Sequence, residues 1–305
     1  MATVRTNRLR FSGVVTGACL LIALPLCLAP RGQTDRFRAG AIVVRVPITV
    51  ADANDNPIVD LTLDDFELRD DGVPQAVTAF QSRDLASVFL LVDTSLSVGP
   101  IQADYWEAAR CIGRGLTPWN RIRLMTFDTT IKLSPEFDND IAEFERMATA
   151  QRGGNGTRLW DAVTMAMSEF PRGDDRRVIA VLTDGVDTAS DASLTTVLDQ
   201  ARRDDFQVFV FNINLGSDVQ GRPAPRGPDP EARRLSADTG GTLVVTNRRD
   251  ISRTCGDFAR WIRSGYLLGF APQILDGRTH ALTVRVRRPA AAVRYRRSYV
   301  ARAPH

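Results

Sequence analysis

The sequence predicts a doubly wound α/β fold, a mainly parallel sheet with helices on both faces, together with a small β unit formed by the N- and C-terminal flanks. Three observations predict it. Between Ser87 and Gly265 continuous apolar runs alternate with amphipathic helical patterns; strands buried on both faces and joined by helices imply a parallel sheet covered on both sides. Outside that block the texture changes to short alternating strands and tight turns. The chain has 305 residues, 44% apolar and 25% charged, enough to bury one large core or two modest ones and unlike a disordered composition.

Taken in order, residues 1–29 hold three Arg without an acid and then an apolar run of 19 residues from Phe11 to Ala29. This is the pattern of an export signal, and the run is long enough to stay as a membrane anchor. Pro30 makes a poor cleavage site, and neither Cys19 nor Cys27 has the flanks of a lipid-modified cysteine. The protein is therefore expected outside the cytoplasm, periplasmic or secreted, cleaved or anchored.

Residues 30–85 form the N-terminal β segment, with a strand in "AIVVRVPITV", a helical turn led by Thr62 and a hairpin at Asp71-Gly72. Asp52, Asn54 and Asn56 alternate like the start of a calcium loop. Pro57 then stands where that loop needs glycine, and Leu63 where it needs a bidentate acid, so the stretch reads as an Asx-rich turn.

The central block, residues 86–264, opens with strand "SVFLLVD", helix "IQADYWEAARCIGRGL" and strand "RIRLMTFDT". After "IKLSPEF" come helices in "DIAEFERMATA" and "RLWDAVTMAMSEF", strand "RRVIAVLTD", helix "SLTTVLDQARRDD" and strand "FQVFVFNINL". A Gly/Pro-rich insertion, "GSDVQGRPAPRGPDP", precedes helix "PEARRLSAD", strand "GTLVVT" and helix "DISRTCGDFARWIRS". Residues 265–305, the C-terminal β segment, contain three further strands. Their arginines Arg285, Arg287, Arg288, Arg294, Arg296 and Arg297 read as the solvated side of a sheet, the alternative being a contact with an anionic surface of lipid headgroups or polysaccharide.

Net charge is only +3 and Lys132 is the single lysine, so nucleic-acid binding is not expected. Past the signal only Cys111 and Cys255 remain. In an oxidising compartment they either pair or sit as two unrelated buried thiols.

The chemistry concentrates at "LLVDTSLSVG", Leu90 to Gly99, where a buried strand ends in Asp93 and leads to Ser95 and Ser97. In an open parallel sheet ligands sit beyond the carboxyl ends of the strands. Ser95 and Ser97, two residues apart in an extended loop, face the same side as Asp93. Thr157 arrives from the Gly-flexed "GGNGTRLWDAV", and Asp184 from the end of strand "VIAVLTD". Two carboxylates and three hydroxyls, all oxygen, suit a hard divalent cation. Asp187 reads as a turn residue or a support behind the ligands, and Gly153, Gly154 and Gly156 as what lets the Thr157 loop come close.

The ordered set Asp93-x-Ser95-x-Ser97, Thr157, Asp184 resembles the metal-ion-dependent adhesion site of von Willebrand factor type A domains. The resemblance covers residues 86 to 264, and the flanks, with "DLTLDDFELRDDGVPQAVTAF" before and "SGYLLGFAP" after, resemble bacterial exported proteins built on that domain. It implies Mg²⁺ or Mn²⁺, held directly by the hydroxyls and partly through water by the acids, with one position open to an acidic side chain of a partner protein. Relatives can slide their last helix when the site engages. A Cys111–Cys255 bond, joining the first helix of the block to its last, would restrain that motion.

Other chemistries fit less well. The glycines around Gly154 are not followed by the lysine of a phosphate cradle. "LLVDTS" and "GVDTAS" echo aspartic proteases, but helices follow both segments and the second lacks the expected glycine. No Gly-x-Ser-x-Gly elbow occurs, and His280 and His305 are the only histidines. The expected function is a cation-dependent protein-binding module rather than an enzyme, with a metal-dependent hydrolase as the alternative.

Overall fold

The computed structural model describes residues 43–82, 86–116, 120–135, 146, 153–171, 173, 175–213 and 229–302. The export segment, the helix expected over 140–150 apart from Arg146, the insertion as far as residue 228, and His305 lie outside the described residues. The described residues all belong to one compact unit.

The chain enters through β1 (Val44–Ala51), β2 (Phe66–Asp70), β3 (Val73–Gln75) and β4 (Ala79–Ser82). Asp71 and Gly72, both in the left-handed region with φ of 46° and 82°, make the tight β2–β3 turn that an Asp-Gly pair favours. Asp52 accepts hydrogen bonds from the amides of Asn54 and Asn56 at 2.8 Å each, closing the Asx turn. Thr62 and Asp65 cap the 3₁₀ turn Leu63–Asp65 reciprocally.

The central sheet follows. Its strands are β5 (Ala86–Asp93), β6 (Arg121–Phe127), β7 (Ile131–Leu133), β8 (Arg176–Leu182), β9 (Phe206–Ile213) and β10 (Leu243–Thr246), in spatial order β10-β9-β8-β5-β6-β7. All neighbours are parallel except β7, which pairs antiparallel with β6. The helices are α1 (Gln102–Leu116), α2 (Leu159–Ser168), α3 (Leu194–Arg203), α4 (Pro230–Asp238) and α5 (Ile251–Arg263).

Alternation along β5 divides the core in two. Val88, Leu90 and Val92 pack with α1 and α5, on Tyr105, Ala109, Ile112, Phe258 and Ile262. Phe89 and Leu91 pack with α2 and α3, on Trp160, Val163, Val197 and Leu198. Every residue of β5 is buried, as expected for a central parallel strand. Since β5 connects to β6 on one side while β8 lies on the other, the strand order reverses at the carboxyl ends of β5 and β8. That is where an open sheet leaves a crevice for a ligand.

The flanks build more than one sheet. After α5 come β11 (Tyr266–Phe270), β12 (Thr279–Val286), β13 (Ala292–Tyr295) and β14 (Ser298–Val300). They combine with the N-terminal strands into sheets ordered β13-β1-β11-β4 and β14-β12-β2-β3. Val46, Ile48, Leu68, Tyr266, Leu268, Leu282, Val284 and Tyr299 form a single core shared by both sheets. The stretch "AVRYRRSYVA", expected as one strand, is two strands in different sheets.

Arg296, expected on a solvated face, is 5% exposed. It lies between β13 and β14, where it donates to the carbonyls of Asp204 at 2.8 Å and Arg45 at 2.5 Å. Carbonyl acceptors on two segments can hold a guanidinium that the strand alternation alone would send to solvent. Burial pushes its pKa down to about 10. Arg294 also turns inward, its guanidinium 4.4 Å from the centre of the Trp261 ring on α5.

Candidate functional site

The site is assembled at the ends of β5 and β8. Asp93 is fully buried; Oδ1 accepts from the Ser95 amide at 2.9 Å and Oδ2 from the Thr183 hydroxyl at 2.7 Å. Ser95 caps a 3₁₀ helix over Leu96–Ile101, so the segment is not the extended loop that the sequence suggests. The tighter winding brings the Ser95 and Ser97 hydroxyls to 3.0 Å from one another. Those two oxygens could therefore serve one ion.

Thr183 places Asp184 beside this group. Burial drives the Asp93 carboxyl up to about 6; hydrogen bonds from Ser95 and Thr183 pull it back, and the negative charge of Asp184 adds to the rise. On α1 the Tyr105 hydroxyl is raised well above its ordinary value by burial and by the charges of Asp184 and Asp93. Asp184 itself is half-buried and accepts from the Val186 amide at 3.2 Å.

Thr157 sits on the facing loop and is buried. Its amide donates to the Thr188 hydroxyl at 2.9 Å, and its carbonyl accepts from the amides of Thr188 and Ala189, which ties it to the segment after Asp184. The other end of the loop meets the β5 tip, where the Leu96 amide donates to the Gly154 carbonyl at 3.1 Å. A Cβ on Gly154 would lie 2.5 Å from the Thr129 hydroxyl, so this approach requires glycine. Among the described residues no hydrogen bond joins the Thr157 hydroxyl to Asp93, Ser95, Ser97 or Asp184; backbone contacts bring that loop alongside.

Asp128, at the end of β6, is the hub that sequence reasoning missed. Buried to 3% exposure, it accepts from the Thr94 hydroxyl and the Gly154 amide at 3.2 Å each and from the Thr130 amide at 2.7 Å. It thereby holds the β5 tip, the β6 end and the glycine loop together. The signal was present, since "MTFDTT" repeats the strand-Asp-Thr signature of "LLVDTS". Asp187 accepts from the Ser190 hydroxyl and from the Trp160 amide at 3.3 Å, and so joins its turn to the start of α2.

The donor set fits a hard cation. Both hydrogen-bond donors to the Asp93 carboxylate are neutral, Asp184 adds a second negative charge, and paired hydroxyls stand next to them. A divalent ion would neutralise two acids that burial and mutual repulsion otherwise oppose.

Away from this site Cys111 on α1 and Cys255 on α5 form a disulfide with a Cα separation of 6.0 Å. A second group, Asp70, Asp71 and His280, gathers in the flanking β unit.

A mainly parallel sheet of this order with helices on both faces is the fold of von Willebrand factor type A domains, and the Asp-x-Ser-x-Ser tip at its switch point is similar to theirs. Residues 71–219, just under half of the chain, match the family model described as "VWA domain containing CoxE-like protein". A structure described as von Willebrand factor type A from Catenulispora acidiphila aligns at TM-score 0.50 and 12% identity, over 87% of this chain and 75% of its own. BatB from Bacteroides thetaiotaomicron aligns at TM-score 0.47 and 15% identity, over 59% of this chain and 100% of its own. Proximal thread matrix protein 1 from the mussel byssus, described with a zinc-occupied MIDAS motif, aligns at TM-score 0.47 and 12% identity, over 62% and 48%. No curated protein sequence matches the chain significantly. Type A domains are in general protein-interaction modules. Among the described residues no helix is long and apolar enough to cross a membrane.

Proposed function

We propose that this protein is a cation-dependent protein-binding module that acts outside the cytoplasm, held there as a secreted, periplasmic or N-terminally anchored protein. Asp93, Ser95, Ser97, Thr157 and Asp184 hold Mg²⁺ or Mn²⁺, and the ion takes its last ligand from an acidic side chain of the partner. One observation supports this above the rest: the fully buried Asp93 carboxylate shares its surroundings with Asp184 and has only neutral hydrogen-bond donors. Such a pair needs a cation, and hydroxyl ligands that donate little charge leave that cation electrophilic toward an incoming carboxylate.

The rim suits a protein partner. Leu96, between the two serines, is 57% exposed, and Val186, just past Asp184, is 47% exposed. Apolar side chains around a charged centre are the pattern of a binding surface whose polar anchor is ringed by desolvating contacts.

The test is calorimetric titration of the full chain with Mg²⁺ and with Mn²⁺, beside Asp93→Ala, followed by metal-dependent capture of partners from native extract. Binding lost in the variant, with capture abolished by a chelator, supports the reading. Equal binding by both proteins sinks it, and metal-dependent cleavage across a substrate panel would favour the hydrolase alternative.

A further inference from the structure

The three groups of the flanking β unit are arranged for a ligand of their own. His280 on β12 is 7% exposed. Its Nδ1 lies 2.9 Å from Asp71 Oδ2 and 3.5 Å from Asp70 Oδ1. One ligand atom from each of the three residues falls within 4.8 Å of the other two.

Each of these side chains is fixed from behind. Tyr299 donates its hydroxyl to Asp70 Oδ2 at 2.9 Å, and the Ala281 amide donates to Asp71 Oδ1 at 2.8 Å. His280 Nε2 is 3.1 Å from Asp276 Oδ1, whose other donor is the Arg278 amide at 2.8 Å. An imidazole oriented by a carboxylate on one nitrogen, with the other nitrogen facing further ligand atoms, is the arrangement that metal-binding histidines adopt. Behind Asp70, Asp71 and His280, then, stands a supporting partner for every ligand.

The open side is electrostatically incomplete. With Nε2–H given to Asp276, Nδ1 presents a lone pair to two carboxylate oxygens. A cation has to stand between them, either a proton or a metal. Asp70 Oδ1 is buried and has no hydrogen-bond partner, in a residue 7% exposed. Three carboxylates, Asp70, Asp71 and Asp276, meet one imidazole and one largely solvated guanidinium, that of Arg278 at 3.8 Å from Asp276. Even with His280 protonated, acids outnumber cations. A divalent ion corrects that excess and displaces the proton.

We propose that Asp70, Asp71 and His280 form a second metal site, separate from the centre at Asp93, for a divalent transition metal of the zinc class. One imidazole nitrogen and two carboxylate oxygens match zinc, which takes mixed nitrogen and oxygen ligands and completes its shell with water. The hard ion proposed at Asp93 meets only oxygen, so the two sites differ in the metals they prefer. The ligands come from β2, the β2–β3 turn and β12, which belong to opposite flanks of the chain. Metal bound here would clamp the two ends of the sequence into one sheet.

The experiment is zinc titration of the full chain carrying Asp93→Ala, which removes the other centre, beside the same protein with His280→Gln or with Asp71→Asn added. Asp71 has a half-exposed side chain, so its replacement tests ligation without opening the core, and circular dichroism checks that each variant folds. The expected result is one zinc per chain in Asp93→Ala and affinity at least ~10-fold weaker in both additional variants. If Asp93→Ala binds no zinc, the cation at Nδ1 is a proton and the proposal is overturned. It is equally overturned if His280→Gln and Asp71→Asn bind zinc as tightly as their parent.

Discussion

Thr183 donates its hydroxyl to Asp93 Oδ2 at 2.7 Å, so the residue immediately before one acid of the candidate centre positions the other. The same hydroxyl accepts from the Gly185 amide at 3.0 Å. A single threonine therefore sets both the carboxylate at the end of β5 and the turn that carries Asp184.

Replacing that hydroxyl by a methyl should uncouple the two acids. Thr183→Val keeps the volume and is expected to fold, while metal affinity falls by about 10–100-fold, the usual cost of losing a group that orients a ligand. Calorimetry with Mn²⁺ reads this directly. Unchanged affinity would mean that Thr183 only packs.

Asp128 holds three segments and touches none of the proposed ligands by hydrogen bond, so its loss should act on stability and site geometry together. Asp128→Ala leaves the Gly154 and Thr130 amides without their acceptor, at a cost on the order of 3 kcal/mol. Urea denaturation is expected to show that loss and calorimetry a parallel loss of metal binding. A variant as stable as the parent would remove Asp128 from this role.

The Cys111–Cys255 bond spans a sequence separation of 144 residues and joins α1 to α5. Constraining a loop of that length in the unfolded chain stabilises the fold by about 5 kcal/mol. Cys111→Ala/Cys255→Ala should unfold at correspondingly lower denaturant, and peptide mapping of the unreduced parent should recover the two cysteines linked. Recovery of two free thiols would end the argument.

Acid should loosen the loop after Asp184 through Asp161. Burial pushes this carboxyl up, but the amides of Ala192 and Asp191 and the Arg158 guanidinium outweigh it and hold the group below the usual carboxylate range. A folded-state pKa below the unfolded one contributes stability that is complete above the unfolded value, near 4 as an approximate reference, and is lost as pH falls through the folded value. The parent should therefore exceed Asp161→Asn in stability at neutral pH, and the gap should close in acid. A gap that is constant down to low pH would contradict the assignment.

Much of this fold was readable before any coordinates. The runs "SVFLLVD", "RRVIAVLTD" and "FQVFVFNI" mark central strands because a strand covered by helices on both faces has no polar side to show. Asp93 and Asp184 stand out because a charged residue ends such a run only where the sheet opens to a crevice. In the flanks alternation was legible, but the assignment of strands to two sheets was not. Strand pairing between residues more than two hundred positions apart, such as Leu68 with Val284, leaves no local trace.

What tertiary structure alone decided follows from the same distinction. Periodicity and Asp-Gly turns act between neighbours in the chain, so local sequence was sufficient for the central strands, for the helices between them among the described residues and for the place of Asp93 at a strand end, but not for the 3₁₀ winding that follows Ser95 or the break between β13 and β14. The inward turn of Arg296, the hub at Asp128 and the meeting of His280 with Asp70 and Asp71 depend on which distant backbone and side-chain groups arrive beside each one. A polar side chain is stable in the interior only when its partners come with it, and the chain supplies those partners only once it has folded.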